Sequence, residues 1–397
     1  MLDISALTDQ VGQMVEEWRQ RPDRMLRELD LAVNQFVINQ HKLFELTVTL
    51  ERNHTSLMVP RFGASSGKIT PLSSLPDRLT VAATDGSQIY PDRHEMAPCY
   101  LINIGYVLLH YGVSARPLLN SKPMLYYQEC ELQETFDGRR SRVTRETVSL
   151  RRAILELTEL AELSTAAMEE GYSVVAFADG SLILWNLEGR SRGFREGLLA
   201  EIRDTFEHCA KRHIPMASFI SRPGSREVTN ALRIGLCKEE AARCAHCPWK
   251  TGESEEMVDT IPCGAIETVN DAMLFGQILA PGERSGLFGS GARINEDYGD
   301  HCISFFYLNV GDEVVRIEVP EYVAANEELL NLVHNCAFDQ ALKGRGYPVC
   351  LSEAHEQAVV RAADREAFYG WLQAVCARNG LPSRLSAKQL RKRHAPL

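Results

Sequence analysis

VAATDGSQIYP (81–91) and VVAFADGSL (174–182) are two apolar runs that both lead into Asp-Gly-Ser. Short β-branched runs bounded by a turn signal read as buried strands. Each run therefore delivers an aspartate, Asp85 or Asp179, to the end of a strand, and the glycine behind it permits a tight exit. Ligand sites of open α/β sheets lie at such strand ends. Two aspartates from neighbouring strands can share one or two Mg²⁺ or Mn²⁺ ions, because hard cations take carboxylate oxygens. Working outward, CYLINIGYVLLHYG (99–112) reads as another buried strand. Residues 142–170 are rich in Leu, Ala and Glu without Gly or Pro, and read as a helix. A helix over 193–212 and a strand in IPMASFISRPG (214–224) follow. Strands and helices mixed in this way predict an α/β domain.

The flanks are simpler. Residues 1–50 read as helical, with Leu26, Leu29, Val33 and Phe36 on one face, and a Ser/Gly/Pro-containing linker follows. Residues 1–70 are thus expected to form an N-terminal helical segment that packs on the domain or serves dimerisation. The main domain is expected over 75–365, interrupted by an irregular cysteine-containing insertion at about 236–300 with a helix near 266–279. HCISFFYLNVG (301–311) and EVVRIEVP (313–320) read as a hairpin, GRGYPVCL as a turn and short strand, and the rest as helix. Residues 366–397 are expected to hold a helix end and a basic tail with Arg384, Lys388, Arg391, Lys392 and Arg393, suited to phosphate or an acidic surface.

Bulk composition narrows the class. No apolar run reaches the eighteen or more residues of a membrane helix, and the first residues lack the basic start and apolar block of a secretory signal, so a cytoplasmic protein is expected. The formal charge of -10 argues against a surface uniformly suited to nucleic acid, though not against a local basic patch. Eleven cysteines, an odd number, do not read as a disulfide framework. Four of them cluster: Cys237, Cys244, Cys247 and Cys263. Cys-x2-Cys with two further thiols is the ligand set of a zinc site or an iron–sulfur cluster, here expected to staple an insertion poor in apolar residues. Cys302, Cys336 and Cys350 read as core residues.

Other chemistry-bearing residues fall around the two aspartates. Glu156, Glu159 and Glu162 recur every three residues on the helix between them, so one can turn inward to complete a carboxylate cluster. Tyr347 and His355 flank PVCLSEA, where they can orient a phosphate, hold a metal or move a proton. Glu353 is expected to support His355. Arg284 and Ser285 are candidates to approach a substrate. Arg316 and Glu318 share one strand face, either pairing at the site rim or facing solvent.

Together VAATDGSQIYP, VVAFADGSL, PGERSGLF (281–288), VVRIEVPEYVA (314–324) and GYPVCLSEAHEQAVV (346–360) resemble the NurA family of DNA-repair nucleases. The resemblance spans roughly residues 80–360. It implies an RNase H-like (PIWI-like) mixed-sheet α/β core. It also implies Mn²⁺- or Mg²⁺-dependent DNA cleavage by metal-activated water, with 5′-to-3′ exonuclease and single-strand endonuclease action. It assigns Asp85 and Asp179 as metal aspartates, and matches Tyr347 and His355 to the family's tyrosine and histidine, His355 near metal or phosphate. A glutamate of the preceding helix completes the set; Glu156 is the choice and Glu162, spaced closer to Asp179, the rival. The resemblance further implies a homodimer that works with a HerA-type hexameric, ATP-driven DNA translocase. No Walker A loop is evident in the chain itself.

Three other readings fit parts of the pattern: an RNA-directed nuclease with the same carboxylates, a non-catalytic DNA-binding or scaffold subunit of a repair complex, and a phosphatase. A scaffold has no use for both aspartates, Tyr347 and His355 together.

Overall fold

The computed structural model describes residues 4–20, 22–41, 43, 55–91, 98–136, 139–239, 242–247 and 261–381. The basic tail lies outside the described residues. The described strands are β1 (Arg61–Phe62), β2 (Leu79–Ile89), β3 (Tyr100–Tyr111), β4 (Leu118–Tyr126), β5 (Gln133–Phe136), β6 (Arg139–Arg142), β7 (Val174–Asp179), β8 (Met216–Ile220), β9 (Phe288–Gly289), β10 (Ile303–Asn309) and β11 (Val314–Pro320). No helix among the described residues is long and apolar enough to cross a membrane.

The chain divides into two compact units, each assembled from three separate segments. One unit is Met1–Leu72 with Ile220–Ala292 and Ser304–Ile317; the other is Ser73–Phe219 with Arg293–Ile303 and Glu318–Leu397. In the first unit, β1, β9 and β10 pair antiparallel in succession. The helix Pro22–Asn39 buries Leu29, Ala32 and Phe36 in one cluster with Leu274 and Phe275 of the helix Asp271–Ile278 and with Phe288 and Phe305. The N-terminal segment and the mid-chain insertion therefore share a core, which is why neither stands as a separate element. Leu26, expected on the buried face, is exposed, while Ala32 takes the inner position. Arg316 is buried here, bonded to Glu227 at 2.7 Å and lying over the Phe305 ring at 3.6 Å; it faces neither solvent nor a site rim. Arg284 and Ser285 are also buried, Ser285 Oγ accepting the Tyr307 amide, so their role is in this core and not at a substrate.

The second unit holds both Asp-Gly-Ser segments. Its strands lie in the order β4-β3-β2-β7-β8. β2, β3 and β4 form an antiparallel meander, whereas β2, β7 and β8 run parallel. Parallel neighbours need crossovers, supplied by the helices Arg145–Glu169 and Arg192–Lys211. This is the RNase H-like mixed sheet. Thr144 caps the first crossover helix by accepting the Thr147 amide, and Val148, Ile154, Leu157 and Leu160 bury its inner face.

Side chains alternate along β2. Thr84 donates to the Glu156 carbonyl, so even positions face the crossover helix. Ser87 donates to the Ala358 carbonyl at 2.5 Å, so odd positions, Asp85 included, face the helix Val349–Ala358. That helix replaces the short strand expected in GRGYPVCL: Pro348 stands at its N-cap, and the chain turns through positive φ at Arg345 and Gly346 just before. Gly105, the partner of Asp85 in β3, lets it approach, since a Cβ there would lie 2.4 Å from the Ala354 carbonyl oxygen.

Candidate active site

Parallel register between β2 and β7 pairs Thr84 with Ala178, which sets Asp85 beside Asp179 on adjacent strands about 4.8 Å apart. The two Asp-Gly-Ser copies are not equivalent. β7 ends at Asp179, and Gly180 leaves it at φ +78°, as a tight exit requires. β2 instead runs on to Ile89, so Asp85 is mid-strand and Gly86 is no exit. A Cβ on Gly86 would lie 2.4 Å from Glu156 Oε1 and 2.8 Å from Arg152 Cγ. Its glycine makes room for a helix side chain. β2 continues where β7 stops, and Glu156 packs against Gly86 from the crossover helix.

The structure thus brings Asp85, Glu156 and Asp179 within electrostatic reach of one another. Burial pushes the Glu156 carboxyl up to about 8; Arg152 opposes the shift, and Asp85 and Asp179 add to it. Glu156 Oε1 is buried and receives no hydrogen bond, although Arg152 Nε stands 3.2 Å away. Asp179 is raised as well, by burial first, while a hydrogen bond from the Tyr347 hydroxyl holds it down. Tyr347 is itself shifted upward by burial and by Asp179, and its ring meets Phe219 edge-on at 5.7 Å. His355 Nδ1 lies 2.7 Å from Asp85 Oδ2, with the rest of the ring exposed. His355 is therefore oriented by Asp85 and not, as expected, by Glu353. Of these groups Asp179, Tyr347 and His355 line a cavity of about 540 Å³, together with Ser352, Glu353 and Glu356.

The other helix glutamates stand apart from this group. Glu159 forms an ion pair with Lys122 of β4, and Glu162 is exposed and contributes to the same lysine. Of the two candidates, Glu156 is the one that faces the aspartates.

Arg152 is a site residue with no part in the sequence expectations, and Gly86 and Glu318 take roles other than the expected ones. Arg152 donates to the Gly86 carbonyl at 2.7 Å while flanking Glu156. Its signal was available: Arg152 and Glu156 are four apart on one helix. Glu318, expected at a rim or in solvent, is buried and accepts the Ser181 hydroxyl and the Leu182 amide at 2.8 and 2.9 Å. It pins the loop that leaves Asp179. A charge inside the apolar run VVRIEVP was the clue, because a buried carboxylate needs donors. We expect Gly86→Ala to leave the chain folded but to displace Glu156, lowering turnover roughly 100-fold, as a misplacement of about 1 Å does. Single-turnover kinetics beside a melting curve would check this; unchanged turnover would contradict it.

Among the described residues no three His, Cys, Asp or Glu side chains stand as a ready chelate. The donor chemistry separates the two candidate groups. At the carboxylates, Glu156 Oε1 is buried without a hydrogen bond, Asp85 and Asp179 add like charge that Arg152 opposes, and a hard divalent cation fits that crowding. Burial, first, and then the neighbouring Cys237, Cys247 and Cys244 raise the Cys263 thiol, while Cys244 Sγ stands 3.3 Å from Thr55 Oγ1. The four cysteines approach one another as free thiols, and the expected zinc or iron–sulfur staple finds no support in their arrangement.

Comparison with known families and structures agrees with the sequence motifs. The model of the NurA domain matches residues 79–360. Among solved structures, the NurA nuclease from Sulfolobus solfataricus is similar at 13% identity over 94% of this chain and 98% of that one, with a TM-score of 0.46. A NurA structure bound to dAMP and manganese is similar at 11% identity over 93% and 98%, with a TM-score of 0.37. Another, with manganese, is similar at 12% identity over 77% and 90%, with a TM-score of 0.35. No curated protein matches.

Proposed function

Since this chain belongs to the NurA family, we propose that it is a divalent-metal-dependent nuclease that hydrolyses DNA, as a 5′-to-3′ exonuclease and single-strand endonuclease, in end processing. The observation that carries this reading is the convergence of Asp85, Asp179 and the buried Glu156 carboxyl, with Asp179 lining an open cavity. In this reading the three carboxylates hold Mn²⁺ or Mg²⁺. When bound, the metal supplies Lewis-acid activation of water and charge neutralisation at the phosphate.

The protein's own groups do the rest. Arg152 fixes Glu156 and the Gly86 carbonyl, so the helix carboxylate is held against the strand. The Tyr347 hydroxyl orients Asp179, and Glu318 holds the loop behind it. His355, exposed at the cavity mouth and oriented through Nδ1 by Asp85, presents Nε2 to a phosphate oxygen. No covalent enzyme intermediate is required.

The partners in this proposal are DNA, a second copy of the chain and a HerA-type hexameric ATP-driven translocase. A second copy suits the N-terminal helices, where Val11, Leu26, Val37 and Ile38 expose apolar surface. The proposal is tested on end-labelled single- and double-stranded DNA with Mn²⁺, Mg²⁺ or EDTA. Cleavage that needs the metal is expected, and the lengths of the labelled products report polarity. Absence of cleavage even with the translocase present would leave the scaffold reading in its place.

A further inference from the structure

One charged region is used by the mechanism above only at its last residue, Arg152. Residues 139–152, RRSRVTRETVSLRR, carry six arginines against one glutamate in a chain whose formal charge is -10. They form strand β6 and the first turns of the crossover helix. The arginines divide by contact. Arg151 lies over the Tyr126 ring at 4.7 Å, which serves the core, and Arg152 belongs to the carboxylates. Arg140, Arg142 and Arg145 are exposed. The lone acid, Glu146, is paired with Arg190.

These exposed arginines lead to the site. Arg145, Ser149, Arg152 and Glu156 are spaced four, three and four apart, one stripe of a helix. Eleven residues at 1.5 Å each place Arg145 about 16 Å from Glu156. Tyr90, at the end of the strand that carries Asp85, runs beside this stripe: its hydroxyl meets Ser149 Oγ at 3.0 Å, and the Arg145 guanidinium lies over its ring at 5.4 Å. Beyond Arg145 opens a cavity of about 610 Å³, lined by Pro91, Pro98, Tyr127, Leu132, Gln133 and Arg142. Its acid, Glu129, accepts a bond from Gln133, and Tyr127 exposes most of its ring.

Cations that follow a backbone, with aromatic faces between them, are what single-stranded nucleic acid requires. We propose that Arg140, Arg142 and Arg145 with the adjoining cavity form a track for single-stranded DNA. The arginines take phosphates, and Tyr127 with the cavity takes a base a few nucleotides from the bond to be cut. This inference rests on the nuclease reading and adds where the strand runs.

The test compares the full-length wild type with the Arg140→Gln/Arg142→Gln/Arg145→Gln variant for binding of fluorescent single-stranded DNA over a salt series, with EDTA present to prevent cleavage. Three phosphate contacts account for a slope of about 2 in log affinity against log salt, at about 0.7 each. We expect the variant's slope to be shallower by about that amount and its affinity to fall roughly tenfold or more near 0.15 M salt. With Mn²⁺, its cleavage defect should grow with oligonucleotide length once the DNA exceeds the ~16 Å from Glu156 to Arg145. Tyr127→Ala, at an exposed position, should weaken binding roughly tenfold with the slope unchanged, and provides the test should the triple variant misfold. Wild-type affinity and slope in both variants, with a wild type that cuts DNA, overturn the track alone. A wild type that neither binds nor cuts DNA overturns the nuclease reading along with it.

Discussion

Replacement of Asp85 by alanine should abolish metal-dependent cleavage, lowering the single-turnover rate by about a thousandfold or more. A metal centre contributes several kcal/mol to stabilising transition-state charge, and about 1.4 kcal/mol is worth a factor of ten. Asp85 contributes twice: its carboxylate adds charge beside Asp179 and Glu156, and its Oδ2 orients His355. Asp85→Asn separates the contributions, because the amide oxygen still accepts from the imidazole while the charge is gone. Cleavage should be lost in both variants if the charge dominates. Retention of a tenth or more of the rate by Asp85→Ala would show that Asp85 is not a metal carboxylate. Neither change should unfold the chain, since each removes one of several mutually repelling carboxylates from the metal-free protein.

The second large effect concerns pH. Glu156 is raised to about 8 from an ordinary 4.5, so the folded, metal-free protein holds a proton that the unfolded chain releases. The resulting stability is present in full below pH 4.5 and is lost as pH rises through about 8. In EDTA we expect the stability of the wild type to fall across this window, by on the order of 5 kcal/mol in all. Glu156→Gln, which carries no ionisable group there, should lack that fall and be the more stable protein at pH 8. Mn²⁺ should restore the wild type and not the variant, because the cation replaces the proton. Denaturant unfolding of both proteins between pH 5 and 9 would measure this; parallel curves in EDTA would show that Glu156 is not the buried group responsible.

These two expectations rest on residues legible in the sequence, because strands β2, β3 and β7 are continuous apolar runs and the crossover helix lacks Gly and Pro. What escaped notice had weaker local signals. β4 sits at the sheet edge with most side chains exposed and Pro123 in its interior, so it carries neither an apolar run nor strict alternation. The two compact units escaped because Phe36, Phe275 and Phe305 meet in one core from segments far apart in the chain. The roles of Gly86 and Gly105 depend on the backbone or side chain packed against each, which local sequence does not encode. Asp85 was assigned a strand end by analogy with Asp179. The structure shows a continuing strand instead, and Gly86 within it leaves the room that Glu156 occupies.

In the proposed function Asp85, Glu156 and Asp179 form one metal centre. Its most direct test is a Mn²⁺ titration of the metal-free protein and of the Asp85→Asn/Asp179→Asn variant, followed by calorimetry or by the Mn²⁺ spin-resonance signal. Saturable binding to the wild type is expected, tighter as pH rises toward 8, and it is expected to be lost in the folded double variant. Equal binding by the two proteins, or metal-dependent cleavage that survives in the variant, would contradict it.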